Sequence, residues 1–493
     1  MPYRLSKSRF VAGWLCPNEL WWRVHEPDAP ELVPDVSLQD RFDQGNEVGE
    51  LACSYVPGGV LIDLPHNAVD ERVAMTREAL DGEAPAIYEA SFLEDNVFVA
   101  VDILERTDSG YNMIEVKSST KLKDEHLPDA AIQTYVLYTS GLDVRRAEVM
   151  HLNNECRYPN LSDLFIRTDV TEQIVPLLPD VPDQIAQQME LINGPEPAIE
   201  IGQQCFGRRE CPFKGRCWPD MTGDHVGSLS GVGPKKTWEL MQRGYHSIHD
   251  LTPDVKVPRA AERQVRAVKQ NKMIVGPGFA EAMEQFAGTL AFLDFETVSR
   301  AIPVWDGCWP WQQVPVQFSC HVQTPDGAVT HHEWLAQPGQ DPREELAIAM
   351  IEACHSAGKV VAWYASFERT RIEELIDALP HLADELRSIN ERLVDPHRVV
   401  KDYVYDPAFH GSFSIKSVLP ALVPELSYGA LEISEGATAS VQLSRFLFQP
   451  DTISQEETEK LRHALLEYCK LDTWACVKLL EKLRELAQET KTV

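Results

Sequence analysis

Apolar and polar residues alternate with a period of two in VFVAVDILE (97–105) and YNMIEVK (111–117). That pattern predicts two strands, each with one face buried. A helix-like pattern follows near 127–140. Further on, TLAFLDFET (289–297) is almost continuously apolar up to Asp294 and predicts a buried strand. The run from 455 to 488 predicts a long helix. Between these blocks, residues 226–275 predict short helices around glycine turns, GPG (276–278) marks a boundary, and EPDAPELVPDV (26–36) forms a loop after an aromatic opening helix. No repeat or long low-complexity segment interrupts this order. Strands and helices mix in both halves, so the fold class is α/β.

At 493 residues the chain exceeds one comfortable core, and two or three domains are expected. No apolar run approaches the roughly 20 residues that span a bilayer, and MPYRLSKSRF carries no apolar secretion-type stretch. A cytoplasmic protein with no membrane partner is the expectation. A formal net charge of −30 opposes phosphate at long range. Cys205 to Lys272 nevertheless holds 13 Lys/Arg against 7 Asp/Glu, a basic island where backbone contacts are expected. Eleven cysteines, an odd number in a chain of this length, argue against a disulfide framework. Seven of them (53, 156, 308, 320, 354, 469 and 476) read as small buried hydrophobes.

Asp102 ends the apolar run VFVAVD, and IEVK then places Glu115 and Lys117 at i and i+2, on one face of a strand. Two carboxylates on adjacent strands suit one or two divalent cations, and a neighbouring lysine polarises water or phosphate. Chance alternation on a surface strand is the plain alternative. The pattern resembles the D…ExK motif of PD-(D/E)XK nucleases. GNEVGE (45–50) and Gln133 in AAIQTYVLY resemble the flanking motifs of the RecB-like branch. The resemblance implies a restriction-endonuclease-like fold and a metal ligand on the first of those helices, often histidine. The matching position here is Gly49, with Glu50 beside it as the candidate ligand and Glu47 one turn back. Gln133 would orient substrate or the lysine; its plain alternative is a helix-surface glutamine.

Cys16 lies near the start, and Cys205, Cys211 and Cys217 follow with five residues between successive cysteines. One early and three late cysteines resemble the 4Fe–4S staple of CRISPR-associated and AddB-type iron–sulfur nucleases. An all-thiolate set suits such a cluster or zinc, although zinc sites usually show tighter CxxC pairs.

SLSGVGPKKTWELMQRGYHSIHDL resembles a helix–hairpin–helix element, with Gly231 and Gly233 in a tight turn and Lys235 and Lys236 at the next helix start. Backbone amides in such a turn can face a phosphate, and RAAERQVRAVKQNK predicts a helix with a basic face. A helical spacer is the equal alternative.

AFLDFET places Asp294 and Glu296 on one strand face, and YCKLD places Tyr468 and Asp472 one helical turn apart. The two motifs resemble the first and third motifs of tyrosine-type DEDD exonucleases, DnaQ-like with an RNase H-like fold. That resemblance implies a two-metal Mg²⁺ or Mn²⁺ site, with Asp472 completing the ligand set and Tyr468 positioning the water. The second motif has Glu368 where the resemblance has aspartate; Asp395 and Asp402 are the reserves. Ser414 and Lys416 would be structural or phosphate-contacting, and the aromatic stretch 305–319 would stack bases or pack in a core. Nearly the whole chain also resembles a widespread bacterial family of two-domain proteins.

The expectation is therefore a nuclease domain over 1–225, a helical linker over 226–285 and an exonuclease domain over 286–493. Together they would process single-stranded or end-resected DNA. Acting on RNA, or binding nucleic acid without cutting it, are the competing readings.

Overall fold

The structure is a computed structural model that describes residues 3–206, 211–221, 223–427, 433 and 435–491. It is mixed α/β and divides into two compact units, Met1–Cys217 with Arg300–Gln312, and Trp218–Ser299 with Gln313–Val493.

Among the described residues the first unit is built on seven strands: β1 (Leu5–Ser6), β2 (Val60–Leu61), β3 (Ala86–Glu94), β4 (Val97–Thr107), β5 (Gly110–Lys117), β6 (Val144–Leu152) and β7 (Phe165–Asp169). The order is β2-β3-β4-β5-β6-β7, with β1 also pairing with β4. β3, β4 and β5 run antiparallel, whereas β5 and β6 are parallel. The parallel pair needs a crossover, which the helix His126–Thr139 supplies. That helix buries Ala130, Ile132, Val136 and Leu137 in one core with Val99, Val101 and Leu104.

Residues 300–312, expected in the exonuclease half, belong to this first unit. The reason is apolar burial: Ala301, Ile302 and Trp311 pack with Val48, Leu152 and Leu164. Polar contacts fix the segment. Arg300 pairs with Glu47 at 2.6 Å, the Ala301 N–H donates to Gln44, and the Trp311 indole N–H donates to the Ser118 carbonyl at 2.6 Å. The aromatic stretch thus serves packing over 300–312, as its plainer reading had it.

The second unit holds β8 (Ile274–Val275), β9 (Leu290–Ser299), β10 (Gln313–Gln323), β11 (Val329–Leu335), β12 (Lys359–Val361), β13 (Leu393–Val394) and β14 (Val404–Tyr405). Its main sheet has the order β11-β10-β9-β12-β13. β9 is central, antiparallel to β10 and parallel to β12. The helices Arg343–Cys354 and Ser366–Ala378 supply apolar partners such as Leu346, Met350 and Ile372 to a core shared with Leu293, Phe295 and Phe318.

Residues 226–285 lie inside this second unit. β8 pairs with β14, Arg263 donates to the carbonyls of Lys401 and Asp402, and fully buried Gln264 bonds Ser228 and Ser230. A Cβ at Gly411, whose φ is +82°, would lie 1.7 Å from the Ser228 carbonyl oxygen, so only glycine permits this approach. Part of the expected basic face is therefore spent on packing: Arg263 is buried, while Arg259 and Arg266 are exposed.

Candidate functional site

Strands and one helix of the first unit gather Asp102, Glu115, Lys117 and Gln133. The period of two on β5 aims Glu115 and Lys117 to one side, and Asp102 comes from neighbouring β4. Lys117 donates to Glu115 Oε1 at 2.5 Å and to Asp129 Oδ2 at 2.7 Å. Gln133, fully buried, donates to Glu115 Oε2 at 2.8 Å, so it is not a surface residue. Asp102 Oδ2 accepts the Val116 N–H at 2.6 Å. Burial, with Glu115 adding to it, pushes the Asp102 carboxyl up to about 7. Burial also works against charge on Glu115, but Lys117 and Lys7 outweigh it and hold Glu115 well below its usual range.

Two members of this site, Lys7 and Asp129, are new, and the backbone is distorted beside it at Glu89, whose carboxylate pairs with Arg72. Lys7 donates to both Glu115 oxygens, at 2.8 and 2.9 Å. Asp129 stands one turn before Gln133 on the same helix face, a D-x-x-x-Q spacing that was visible in the sequence. Glu89 interrupts the pairing between Tyr88–Ile103 and Ala90–Val101, opposite Asp102, with φ at +57°. A left-handed residue inside a strand is strained, and such strain concentrates at functional positions. Glu50 is exposed on the helix Val36–Cys53. A Cβ at Gly49 would meet nothing within 4 Å, so the expected ligand position is open space.

Because Glu115 is buried and holds two ammonium groups, Glu115→Ala removes a close partner from both and leaves them to Asp129, 2.7 Å from Lys117 and 4.0 Å from Lys7. We expect it to destabilise the first unit by about 3–5 kcal/mol, read as a lower urea midpoint. A change below about 1 kcal/mol would make the network peripheral.

The second unit assembles a different cluster. β9 carries Asp294 and Glu296, the helix Ser366–Ala378 carries Glu368 in its first turn, and the helix Gln455–Lys491 carries Tyr468 and Asp472. Burial raises the Asp294 carboxyl far above its usual range, and Asp472, Glu296 and Glu368 each add to the rise. Glu296 is raised likewise by burial and Asp472, against which Lys416 acts. Glu368 is pushed up to about 8 by burial, with Asp395 contributing and Arg371 opposing. Its Oε2 is buried and has no hydrogen-bond partner. The Tyr468 hydroxyl is raised strongly by burial and by Asp472, with which it shares a hydrogen bond. Lys416 also stands over the Tyr468 ring at 5.6 Å.

The reserves sort differently. Asp395 accepts the Tyr364 N–H at 3.2 Å beside Glu368, whereas the Asp402 carboxylate pairs with Arg398 at 3.9 Å. Ser414 is the N-cap of the helix Ile415–Leu422. The cysteine expected to be a plain buried hydrophobe, Cys469, instead donates its thiol to Asp294, with Sγ 3.7 Å from Oδ2. It stands three residues before Asp472, so helical spacing could have placed it in the site.

Three of these acids, Asp294, Glu296 and Glu368, supply a pH prediction. With folded values raised above the ordinary Glu value of about 4.3, their protonated forms add stability that is complete below that pH. The stability is lost as pH rises through the folded values, about 8 for Glu368. Without divalent cations, stability should fall between about pH 5 and pH 8, at up to about 1.4 kcal/mol per unit for each such group. Urea midpoints in EDTA would show it, and a flat profile would contradict the clustering.

The third constellation is the cysteines. Cys16 caps the helix Lys7–Leu15 and precedes the helix Pro17–His25, whose first amides, those of Asn18 and Glu19, point at its sulfur. Burial raises the Cys16 thiol, and Cys205 adds to the rise. Burial pushes Cys211 up to about 11, with Cys16 and Cys217 contributing, and Cys217 in turn is raised by burial and then by Cys16 and Cys205. Each of the four half-buried thiols thus acts on, or is acted on by, another of the set. Trp22 and Phe213 pack beneath Cys211 and Cys217, and Arg216 ties that segment to Glu26 and Glu31 at 2.8 and 2.7 Å. Residues 207–210 of the expected cysteine motif lie outside the described residues.

In the middle segment, Gly231 has φ +76° and Pro234 opens the helix Pro234–Gln242. Lys235 is exposed, and Lys236 pairs with Glu239 at 3.1 Å.

Comparison with known proteins adds kinship. Residues 291–414 match the model of a domain of unknown function, DUF2779. The match includes Asp294, Glu296 and Glu368 and stops before Tyr468. Over 246 residues the chain is 22% identical to an uncharacterized protein of Ureaplasma parvum serovar 3, covering 45% of this chain and 35% of that protein. Over 235 residues it is 24% identical to an uncharacterized protein of Mycoplasma pneumoniae, covering 43% and 35%. The chain thus spans about a third of the length of these curated relatives. Among the described residues, no helix is long and apolar enough to cross a membrane.

Proposed function

We propose that this protein is a metal-dependent phosphodiesterase that trims single-stranded nucleic acid, DNA foremost, from the 3′ end at Asp294, Glu296, Glu368 and Asp472. One observation carries the reading: four carboxyl groups gathered in one place, Glu368 buried and Asp294, Glu296 and Asp472 half-buried, with Asp294 and Glu296 each raised by their acidic neighbours. Burying like charges is costly unless protons or cations neutralise them. The donor set fits divalent cations, because Asp294 and Glu296 offer converging oxygens and Glu368 Oε2 has no other partner. Bound Mg²⁺ or Mn²⁺ would supply stabilisation of the attacking and leaving oxygens. The chain's own residues do the rest. Asp472 holds the Tyr468 hydroxyl where it can orient a water, and Lys416 offers positive charge to a phosphate. A central carboxylate-bearing strand, with antiparallel strands on one side and parallel ones on the other, supports an RNase H-like reading of the second unit.

For the first unit we propose a PD-(D/E)XK-like nuclease centre in which Lys117 faces the scissile phosphate. Asp102, Glu115, Lys117 and Gln133 support it by gathering around one point. The fit to a cation is poorer there, since Lys7 and Lys117 already neutralise Glu115. We further propose a 4Fe–4S cluster on Cys16, Cys205, Cys211 and Cys217. A single zinc, with bonds of about 2.3 Å, would set its four sulfurs about 3.8 Å apart.

The testing experiment incubates the full chain with matched DNA and RNA oligonucleotides, with Mn²⁺, Mg²⁺ or EDTA. Cation-dependent turnover of DNA supports the proposal, and turnover of RNA alone reassigns the substrate. Binding with no turnover of either leaves a scaffold.

A further inference from the structure

Cys469 occupies a place in the second site that the proposed ligand set does not explain. It is fully buried, one residue after Tyr468. Its Sγ lies 3.7 Å from Asp294 Oδ2 and 3.8 Å from the Asp294 carbonyl oxygen. Among the described residues, the group of three potential ligand atoms that converge within 4.8 Å of one another is Asp294, Glu296 and Cys469, not a set of carboxylates alone.

The spacing has a chemical meaning. A tetrahedral ion with a sulfur ligand at about 2.3 Å and an oxygen ligand at about 2.1 Å separates the two by about 3.6 Å. The Cys469–Asp294 distance is close to that edge. A second observation points to a ligand independently. Glu368 is only 3% exposed, its Oε2 has no partner, and its charge bears on both Asp294 and Glu296. A buried acceptor with nothing to accept from is costly unless something absent from the protein chain binds it.

We propose that Cys469 is a sulfur ligand at the second site and biases it towards a thiophilic divalent cation of the zinc type over Mg²⁺. The inference rests on reading Asp294 and Glu296 as metal ligands. On binding, the sulfur–metal bond replaces the S–H bond, and the proton leaves to solvent. Softness then decides selectivity: thiolate favours zinc-like ions, whereas Mg²⁺ prefers all-oxygen octahedral shells.

The experiment is calorimetric titration of Cd²⁺, and separately Mg²⁺, into the full chain and into Cys469→Ser, Cys469→Ala and Asp294→Asn. Cys16, Cys205, Cys211 and Cys217 are present in all four proteins, so the component lost in Asp294→Asn isolates the second site. We expect both cysteine variants to weaken that Cd²⁺ component by about 10-fold or more, with Mg²⁺ binding held within about 2-fold. Co²⁺ loading should give a near-ultraviolet sulfur-to-cobalt absorption that weakens in Cys469→Ser by the share of one thiolate. Cd²⁺ affinity unchanged in both variants, with Mg²⁺ still bound, overturns this inference alone and leaves the thiol a hydrogen-bond donor to Asp294. No Asp294-dependent binding of either ion overturns the metal-site reading and the inference together.

Discussion

Asp294→Asn is expected to abolish cation-dependent trimming, by about 10³-fold or more, and at the same time to stabilise the cation-free protein. The two effects share one cause. Asp294 is the group on which Asp472, Glu296 and Glu368 all act, at the centre of β9. Its charge is needed where divalent cations bind and is a liability where they do not. The neutral amide keeps the shape, removes one member of the repelling set, and should lessen the fall of stability towards pH 8 in EDTA. A gain of about 1–2 kcal/mol at pH 8 would show as a raised urea midpoint. Loss of activity together with loss of stability would mean that Asp294 is held by favourable partners, contrary to the electrostatics described above. Retained activity would remove it from the site.

The second large effect belongs to the cysteines. Cys16 and Cys217 are 201 positions apart in the sequence, yet their thiols act on each other. The proposed cluster would join the opening helices to the segment that carries Cys205, Cys211 and Cys217. Its binding energy is then folding energy, as in other structural metal sites. Cys16→Ala is expected to give colourless, iron-free protein and to destabilise the first unit by several kcal/mol. Iron content, visible absorption and the unfolding midpoint of the purified chain check this. Full iron content in Cys16→Ala would exclude it as a ligand. Colourless wild-type protein holding one zinc would return the site to the alternative cofactor.

Much of this site chemistry was legible because it sits on regular elements. Period two on β9 puts Asp294 and Glu296 together, and one helical turn puts Tyr468 with Asp472. Those rules concern neighbours along the chain. Lys7 reaches Glu115 across 108 positions, and no local pattern announces such a partner. Asp129 and Cys469 were within reach of the same helical spacing, but a buried carboxylate on an apolar helix and a cysteine beside a tyrosine both read first as packing. Residues 300–312 were misplaced for a related reason. Their aromatic content signals burial without saying against what, and their partners, Val48, Leu152 and Leu164, come from three separate segments. The Glu89 distortion depends on backbone conformation, which composition does not encode.

The most direct measurement uses 5′-labelled single-stranded DNA, one sample with a free 3′ end and one with the 3′ end chemically blocked. Each is incubated with Mn²⁺ and the full chain. The expected result is a ladder that shortens stepwise from the free 3′ end, stops at the block, and disappears with EDTA or in Asp294→Asn. Cleavage that ignores the block and survives Asp294→Asn, or no cleavage of any DNA or RNA strand under these conditions, would contradict it.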